Sequence, residues 1–145
     1  MSEEHVYSVS VKDIAHKIVT AKFQGIDEFK VTSSIDWWPE SPGGIISPQE
    51  LLVSASVTCF AVNLYRAAEH VHTEFKGVSV EGFGSMAENE GIWSFDKMVL
   101  KATITIFEDT DRQKIDKAIQ FAHKGCPIAN TLKCPTLLDY EIVVE

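Results

Sequence analysis

Two cysteines lie in sequence surroundings that could give their thiols a chemical role. Cys59 lies in the uncharged stretch ASVTCFAVNL, residues 55–64, and Cys126 follows a glycine and precedes a proline in KGCPIANTLKCP, residues 124–135. A thiolate is a nucleophile that can be oxidised, and two thiols that meet in a fold can form a disulfide. A free cysteine is also often a small buried apolar residue, and position alone favours that interpretation for Cys59.

The surroundings of Cys126 favour reactivity and a structural role equally. Between Gly125 and Pro127, this residue is predicted to begin a short helix over Pro127 to Lys133, where free backbone N–H groups and the helix dipole stabilise a thiolate. A small residue that fits a tight turn explains the same pattern. Cys134 precedes a proline at the end of that helix, where the dipole disfavours an anion, and is the least reactive candidate.

The helix that carries Cys59 has a clear start signal. Ser47 fits the N-cap, Pro48 fits the first helical position, and Glu50 lies three residues after the cap, where it completes a capping box. We expect a helix over residues 48–70 that is apolar on nearly every face and therefore buried all round. One small domain has few elements with which to cover such a helix, so we predict a homodimer with this helix at its centre.

Alternating apolar and polar residues predict strands in the rest of the chain. VYSVSV at residues 6–11 reads as a half-buried strand, and two further strands are expected at residues 16–23 and 28–35, before a loop rich in proline and glycine. A long hairpin is predicted from residues 75–87 and 93–107 around the turn ENEG. Its second strand has one apolar face, formed by Met98, Leu100, Ala102, Ile104 and Ile106.

A second helix and a last strand complete the expected fold. The helix should follow Thr110 or Asp111 and end at Gly125, and LLDYEIVV at residues 137–144 alternates as a strand does. The order of elements indicates an α+β fold with an antiparallel sheet, in a single domain over residues 1–145. The apolar stripe of the helix consists of Ile115, Ala118, Ile119 and Ala122.

The composition of the chain argues against nucleic-acid and membrane partners and favours a cytoplasmic location. The chain of 145 residues has a net charge of −8, which repels phosphate backbones and argues against nucleic acid as a partner. The longest uncharged run, residues 51–65, is too short to span a bilayer, so no membrane partner is expected. We expect a cytoplasmic protein with reduced cysteines, because no signal peptide is visible and the number of cysteines is odd.

The two cysteine motifs together resemble the OsmC/Ohr family of thiol-dependent hydroperoxide reductases. SPQELLVSASVTCFAVNL at residues 47–64 is similar to the family's Asn- or Ser-Pro helix start, followed by about ten small and apolar residues and Cys-Phe. KGCPIANTLK at residues 124–133 is similar to its later Cys-Pro, which opens a helix. The resemblance implies an OsmC-like fold, with antiparallel sheets wrapped around long central helices in an intertwined dimer.

The resemblance also implies roles for individual residues. Cys59 would be the peroxidatic thiol, which attacks an organic hydroperoxide and becomes a sulfenic acid, and Cys126 would be the resolving thiol, which forms a disulfide with it. An external thiol such as a dithiol would restore both, with no metal or other cofactor. Candidate pocket residues are Trp37, Trp38 and Phe60, although anchoring of the loop is the favoured interpretation for one tryptophan.

The sequence departs from the family at the residues that activate the first thiol. The family has an arginine in its N-terminal strand region and a glutamate directly after the helix proline, whereas here no arginine precedes Arg66 and the second position holds Gln49. Glu50 suits the capping box better than an active site. Gln49, Glu50 and Arg66 are nevertheless the candidate supporting residues. Cations from the early strands are an alternative, namely Lys12, Lys17, Lys22 and Lys30.

Two functions of different classes follow from these residues. The first is a peroxidase that reduces organic hydroperoxides through both cysteines. The alternative, which the lost arginine and glutamate favour, is a non-catalytic or weakly active OsmC-like dimer that binds a small apolar ligand. Another thiol reaction, such as sulfur transfer, is a third and weaker option. The ionisation of Cys59 distinguishes the first two, since only a thiolate attacks a peroxide.

Overall fold

The computed structural model describes residues 3–145, which form two compact units that meet in sequence between Leu52 and Val53. The predicted order of strands, helix, hairpin, helix and strand is confirmed, and the single domain over residues 1–145 stays a prediction. The elements are β1 (Ser10–Ala15), β2 (Ile18–Lys22), β3 (Phe29–Thr32), α1 (Pro48–His70), β4 (Gly77–Asn89), β5 (Ile92–Ile106), α2 (Arg112–Lys124), α3 (Pro127–Thr131) and β6 (Thr136–Val144).

The first unit contains an antiparallel sheet in the order β1–β2–β3. The prediction of a half-buried strand at residues 6–11 was wrong in place and in burial, because β1 covers Ser10–Ala15 and every residue in it is exposed. The short β2 explains the shift. Its last residue, Lys22, pairs with Ser10, so no partner residue remains for a strand that begins earlier.

The loop after β3 returns to the sheet and delivers the chain to α1. The Thr32 N–H donates to the Ile46 carbonyl at 2.9 Å, one residue before the helix cap. The capping box is confirmed, because the Ser47 N–H donates to Glu50 Oε1 at 3.0 Å and the Glu50 N–H donates to Ser47 Oγ at 3.3 Å. These bonds satisfy backbone donors that the first turn of a helix otherwise leaves free.

The hairpin of β4 and β5 dominates the sheet of the second unit. Its turn is shorter than ENEG, because the strands pair as far as Asn89 and Ile92 and leave only Glu90 and Gly91 between them. Both turn residues have positive φ angles, 53° and 82°, as a two-residue type I′ turn requires. The predicted apolar face of β5 is confirmed as core, since all five of its residues are at most 4% exposed.

The third strand of this sheet corrects the expectation of a purely antiparallel arrangement. β6 lies beside β5 and runs parallel to it, with Met98 paired to Thr136 and Ile106 paired to Val144. The connection explains the direction: α2 and α3 lie between the two strands, and a helical crossover returns the chain to the same end of the sheet. The α+β class stands, with two small sheets of three strands each.

The helices of the second unit end where the local backbone leaves the helical region. The apolar stripe of α2 is buried as predicted, and the predicted stop is confirmed, because α2 ends at Lys124 with Gly125 as its C-cap at a φ of −90°. α3 ends at Thr131, two residues earlier than predicted, because Leu132 is extended. Cys134 therefore lies beyond the helix, in a bend before β6.

In the single chain α1 is buried on one face, and its burial all round, which was expected in a dimer, stays a prediction. Its buried residues define one face, whereas Val62 and Tyr65 on the opposite side are 67% and 55% exposed. At 23 residues, α1 is long and apolar enough to cross a membrane, a property that it shares with core helices of soluble proteins. Its contact with β4 is close, because a Cβ atom added at Gly82 would lie 2.2 Å from Val57 Cγ2.

Candidate active site

Cys59 lies in the middle of α1, next to the buried Phe60, and is itself half-buried. Its backbone groups are committed to the helix, because each N–H in a helix interior bonds the carbonyl four residues earlier. A hydrogen bond to the sulfur must therefore come from a side chain or from another element. Asn63, one turn further along, supplies one: its Nδ2 lies 3.5 Å from Cys59 Sγ.

Cys126 is the N-cap of α3, as the sequence predicted, and is 3% exposed. Its backbone is extended, and its Sγ accepts a hydrogen bond from the Ala129 N–H at 3.4 Å. This is the geometry in which serine or aspartate usually caps a helix, with sulfur in the place of oxygen. Burial fits a small structural residue, and the contact with the Ala129 N–H holds the sulfur at the start of α3.

The fold brings these two cysteines together although they are far apart in sequence. The Cys126 thiol and the backbone N–H of Ile128 lie close enough to the Cys59 thiol to act on its pKa. The first turn of α3 therefore contributes to the surroundings of both sulfurs. All three cysteines are free thiols, and Cys134 is not among the groups that act on Cys59.

Burial raises the pKa of the Cys59 thiol, and the hydrogen bond with Cys126 raises this pKa further. The Ile128 N–H and the Asn63 amide act in the opposite direction, because both donate to the sulfur and favour its anion, but they do not reverse the shift. Among residues 3–145, no positively charged side chain acts on the pKa of Cys59. Thiolate formation at Cys59 is therefore disfavoured at neutral pH.

The candidate supporting residues at the start of α1, Gln49 and Glu50, do not act on the Cys59 thiol. Glu50 is held in the capping box, with its Oε1 also 2.8 Å from Ser47 Oγ, so the structure places it in a capping role. Gln49 lines a cavity of about 280 Å³ in the first unit, together with Lys17. Its buried Oε1 has no hydrogen-bond partner among the described residues. The four candidate lysines of the early strands are all exposed side chains.

A larger cavity, of about 780 Å³, lies beside the cysteines in the second unit. Two lining residues relate this cavity to the two cysteines: Asn63 contacts the Cys59 sulfur, and Gly125 precedes Cys126 in sequence. The cavity is also lined by Arg66, His70, His72 and Phe121. Arg66 is thus near the site on an exposed helix face, but it is not among the groups that shift the Cys59 pKa.

The candidate pocket residues divide into core and loop residues. Phe60 is 1% exposed and belongs to the core, and its assignment to a pocket stays a prediction. The half-buried Trp38 packs edge to face on His16, with ring centroids 5.9 Å apart, and the Lys17 Nζ lies 5.2 Å from a Trp38 ring centroid. Trp38 therefore anchors the loop in its own unit, whereas Trp37 is 42% exposed.

Sequence reasoning did not single out Asn63 as a site residue. The available signal was its spacing, since a residue four positions after Cys59 shares the same helix face. That spacing also describes many core contacts, so only the contact of the Asn63 amide with the Cys59 sulfur separates this asparagine from them.

A family model described as OsmC-like protein matches residues 41–141, which include both cysteine motifs. The chain belongs to the OsmC-like family. Among its curated relatives is Peroxiredoxin OsmC of Escherichia coli strain K12, which is 25% identical over 96 residues, or 66% of each chain. Membership of the OsmC-like family associates the chain with a redox role related to hydroperoxides and oxidative stress.

Solved structures confirm the OsmC-like fold expected from the resemblance. An OsmC-like protein of unknown function from Vibrio cholerae aligns with a TM-score of 0.82 and 20% identity, over 97% of this chain and 100% of that chain. An organic hydroperoxide resistance protein OsmC from Legionella pneumophila aligns with a TM-score of 0.71 and 16% identity, over 97% and 99% of the two chains. At such identities the likeness concerns the fold alone.

Proposed function

We propose that this OsmC-like protein is a thiol-dependent peroxidase that reduces organic hydroperoxides, with Cys59 as the peroxidatic and Cys126 as the resolving thiol. The observation that carries this proposal is the proximity of the two thiols, which is close enough for Cys126 to act on the pKa of Cys59, because a disulfide requires sulfurs that start close together. The names of two relatives, a peroxiredoxin and an organic hydroperoxide resistance protein, agree with this chemistry.

The first step oxidises Cys59 by two electrons. Its thiolate attacks the terminal oxygen of the hydroperoxide, an S–O bond forms, and the O–O bond breaks. The leaving alkoxide takes a proton and departs as the alcohol. Cys59 is then a sulfenic acid, and its neighbour Cys126 attacks that sulfur with release of water, which gives the Cys59–Cys126 disulfide.

An external dithiol closes the cycle, and burial indicates which sulfur it attacks. Cys59 is half-buried whereas Cys126 is only 3% exposed, so the dithiol reaches the Cys59 sulfur. Cys126 then leaves as a thiolate, with the Ala129 N–H already 3.4 Å from its Sγ. A second exchange releases the oxidised dithiol and returns both cysteines to thiols.

A second candidate function rests on the same pKa that slows the first step. Burial raises the pKa of Cys59, and the family's activating arginine and glutamate are both missing. A non-catalytic or weakly active dimer that binds a small apolar ligand fits these two facts. The cavity of about 780 Å³ has the volume of a small-molecule site.

Stopped-flow oxidation with tert-butyl hydroperoxide, followed by turnover with dithiothreitol, tests the peroxidase. We expect turnover that disappears in Cys59→Ser, and a Cys59–Cys126 disulfide in non-reducing peptide mass maps. Dimedone should trap the Cys59 sulfenic acid before the disulfide forms. Absence of turnover together with absence of a dimedone adduct would leave the ligand-binding function as the better proposal.

We also propose that the protein is a cytoplasmic homodimer. The exposed apolar residues Val62 and Tyr65 on α1 support a partner chain, because a dimer would remove them from water. A reducing compartment would keep the thiols ready for the next cycle. Sedimentation velocity at micromolar concentration should show a dimer, and Val62→Asp should weaken it; a wild-type monomer contradicts the proposal.

A further inference from the structure

Asn63 occupies an unusual position for an amide side chain. It is half-buried in the interior of a long helix, a location where asparagine is a poorer helix former than alanine or leucine. Its neighbours at the cavity include Ala67 and Phe121, which are apolar. Helix propensity alone would favour another residue here, and the cavity wall also includes the polar Arg66 and His70, so the reason for the amide lies in the contacts that it makes.

The hydrogen bond to sulfur supplies that reason. Asn63 Nδ2 lies 3.5 Å from Cys59 Sγ. Apart from Cys126, the only other donor among residues 3–145 that acts on this sulfur is the Ile128 N–H. An N–H that points at the sulfur favours the anion over the neutral thiol. No cation acts at this position in the described chain, so these two neutral donors carry the stabilisation of the anion.

We propose that Asn63 is a catalytic residue, whose amide N–H holds the Cys59 thiolate in the attacking geometry. The inference rests on the proposed peroxidase function and adds a residue to it. The donor is neutral, so it stabilises the anion less than a guanidinium would. This difference is consistent with the raised pKa of Cys59, because a neutral donor offsets only part of the cost of burial.

The same residue connects the thiol with the adjacent cavity. Asn63 contacts the Cys59 sulfur and also lines the cavity of about 780 Å³. A hydroperoxide that approaches Cys59 from this cavity therefore passes the amide. We expect the donor to remain next to the sulfur during attack, where it also bonds the oxygen of the sulfenic acid that forms.

The test measures ionisation of Cys59 rather than turnover. Iodoacetamide alkylation of Cys59 is followed by peptide mass spectrometry from pH 6 to 10 in wild type and Asn63→Leu, which keeps the approximate size and removes the amide. We expect Asn63→Leu to react about tenfold more slowly at pH 7, the expected effect of one lost hydrogen bond to a charged group. The midpoint of its pH profile should move to higher pH.

Two further variants make the result specific. Asn63→Asp keeps the shape but lacks the N–H donor and adds a negative charge, so it should also slow alkylation, even if Asn63→Leu folds poorly. Gln120→Leu is the matched control, because it removes a helix-surface amide that bonds Tyr140 and no sulfur. It should alkylate at the wild-type rate. Wild-type or faster alkylation in folded Asn63→Leu and Asn63→Asp would overturn the role of Asn63.

The outcome separates this inference from the proposed function. If wild type reduces no hydroperoxide but Asn63→Leu still shifts the alkylation profile, the peroxidase proposal fails and the donor role of Asn63 stands. If wild type turns over hydroperoxide and the profile does not move, the peroxidase stands and Asn63 is a structural residue.

Discussion

The surroundings of Cys59 and Cys126 differ in where their hydrogen bonds come from. Cys59 lies in the interior of α1, where the backbone is fully used, and its sulfur depends on a side-chain amide and on an N–H from α3. Cys126 lies at the start of α3, where free N–H groups are a property of the helix itself. Donors reach the Cys59 sulfur through side-chain and tertiary contacts, whereas the donor to the Cys126 sulfur comes from the backbone of its own helix.

This difference agrees with the proposed division of labour. The half-buried Cys59 is accessible to a peroxide but is not easily ionised. The buried Cys126 is poorly accessible and already has a backbone donor on its sulfur, which suits a resolving and leaving thiol. The slow step should therefore be the attack by Cys59, and changes that affect the two cysteines should have unequal consequences.

Serine substitution should give the largest and most unequal effects. Cys59→Ser should lower hydroperoxide turnover by roughly 10³-fold or more, because a hydroxyl is a far weaker nucleophile than a thiolate at neutral pH. Cys126→Ser should retain the first oxidation at the wild-type order of magnitude and leave a sulfenic acid that dimedone traps. Stopped-flow oxidation and mass mapping measure both effects.

Cys134→Ser is the control for this pair, because Cys134 is half-buried and is not among the groups that act on Cys59. It should oxidise and recycle as wild type does. Loss of the first oxidation in Cys126→Ser, with Cys59→Ser still active, would reverse the assigned roles.

The pH dependence of the first step should follow the raised pKa of Cys59. Only the thiolate reacts, so a raised pKa leaves little of it at neutral pH, and the rate should rise about tenfold per pH unit until it levels off above the pKa. Single-turnover oxidation from pH 6 to 10 measures this. An unstructured peptide around Cys59 is the reference, and the protein should level off at the higher pH; levelling off below the peptide would contradict the raised pKa.

Close packing between α1 and β4 should make Gly82 sensitive to added volume. A Cβ atom there would lie 2.2 Å from Val57 Cγ2 and 3.1 Å from Val53 Cγ1, so Gly82→Ala should cost about 1–3 kcal/mol in the free energy of unfolding. The displaced helix carries Cys59, so disulfide formation with Cys126 should also slow. Urea unfolding and non-reducing mass maps measure the two effects.

The same substitution at the start of β4 provides the comparison. Gly77 has no atom within 4 Å of its added Cβ, so Gly77→Ala should leave stability nearly unchanged. The double variant Gly82→Ala, Val57→Ala should recover part of the loss, because it removes the clashing methyl groups. Equal free energies of unfolding for Gly77→Ala and Gly82→Ala would refute the close contact between Gly82 of β4 and Val57 of α1.

The smallest expected effect concerns Glu50. Glu50→Ala removes its bonds to Ser47 and should cost about 1 kcal/mol of stability, whereas Glu50→Gln can keep the capping box. Oxidation of Cys59 at 25 °C should be unchanged in both folded variants, since Glu50 acts in the cap. A loss of rate in Glu50→Gln without a loss of stability would instead place Glu50 in the chemistry.

Much of this architecture could be predicted from local patterns. The cap at Ser47, the buried face of β5 and the stripe on α2 follow from residue spacing, because a period of two or of 3.6 fixes which side chains share a face. The direction of β6 was predicted wrongly, since the alternation of a strand is the same in parallel and antiparallel sheets. The sequence did not reveal the burial of Phe60, because its spacing does not distinguish a core residue from the wall of a pocket.

The sequence by itself determined the elements, the positions of both cysteines on them and the N-cap role of Cys126, because these depend on near neighbours along the chain. Only the tertiary structure decided that Cys59 meets Cys126, that Asn63 and the Ile128 N–H contact its sulfur, and that burial raises its pKa. Those properties depend on the distance between elements and on exclusion of water, which the packing of helices against the sheet creates and no local pattern encodes.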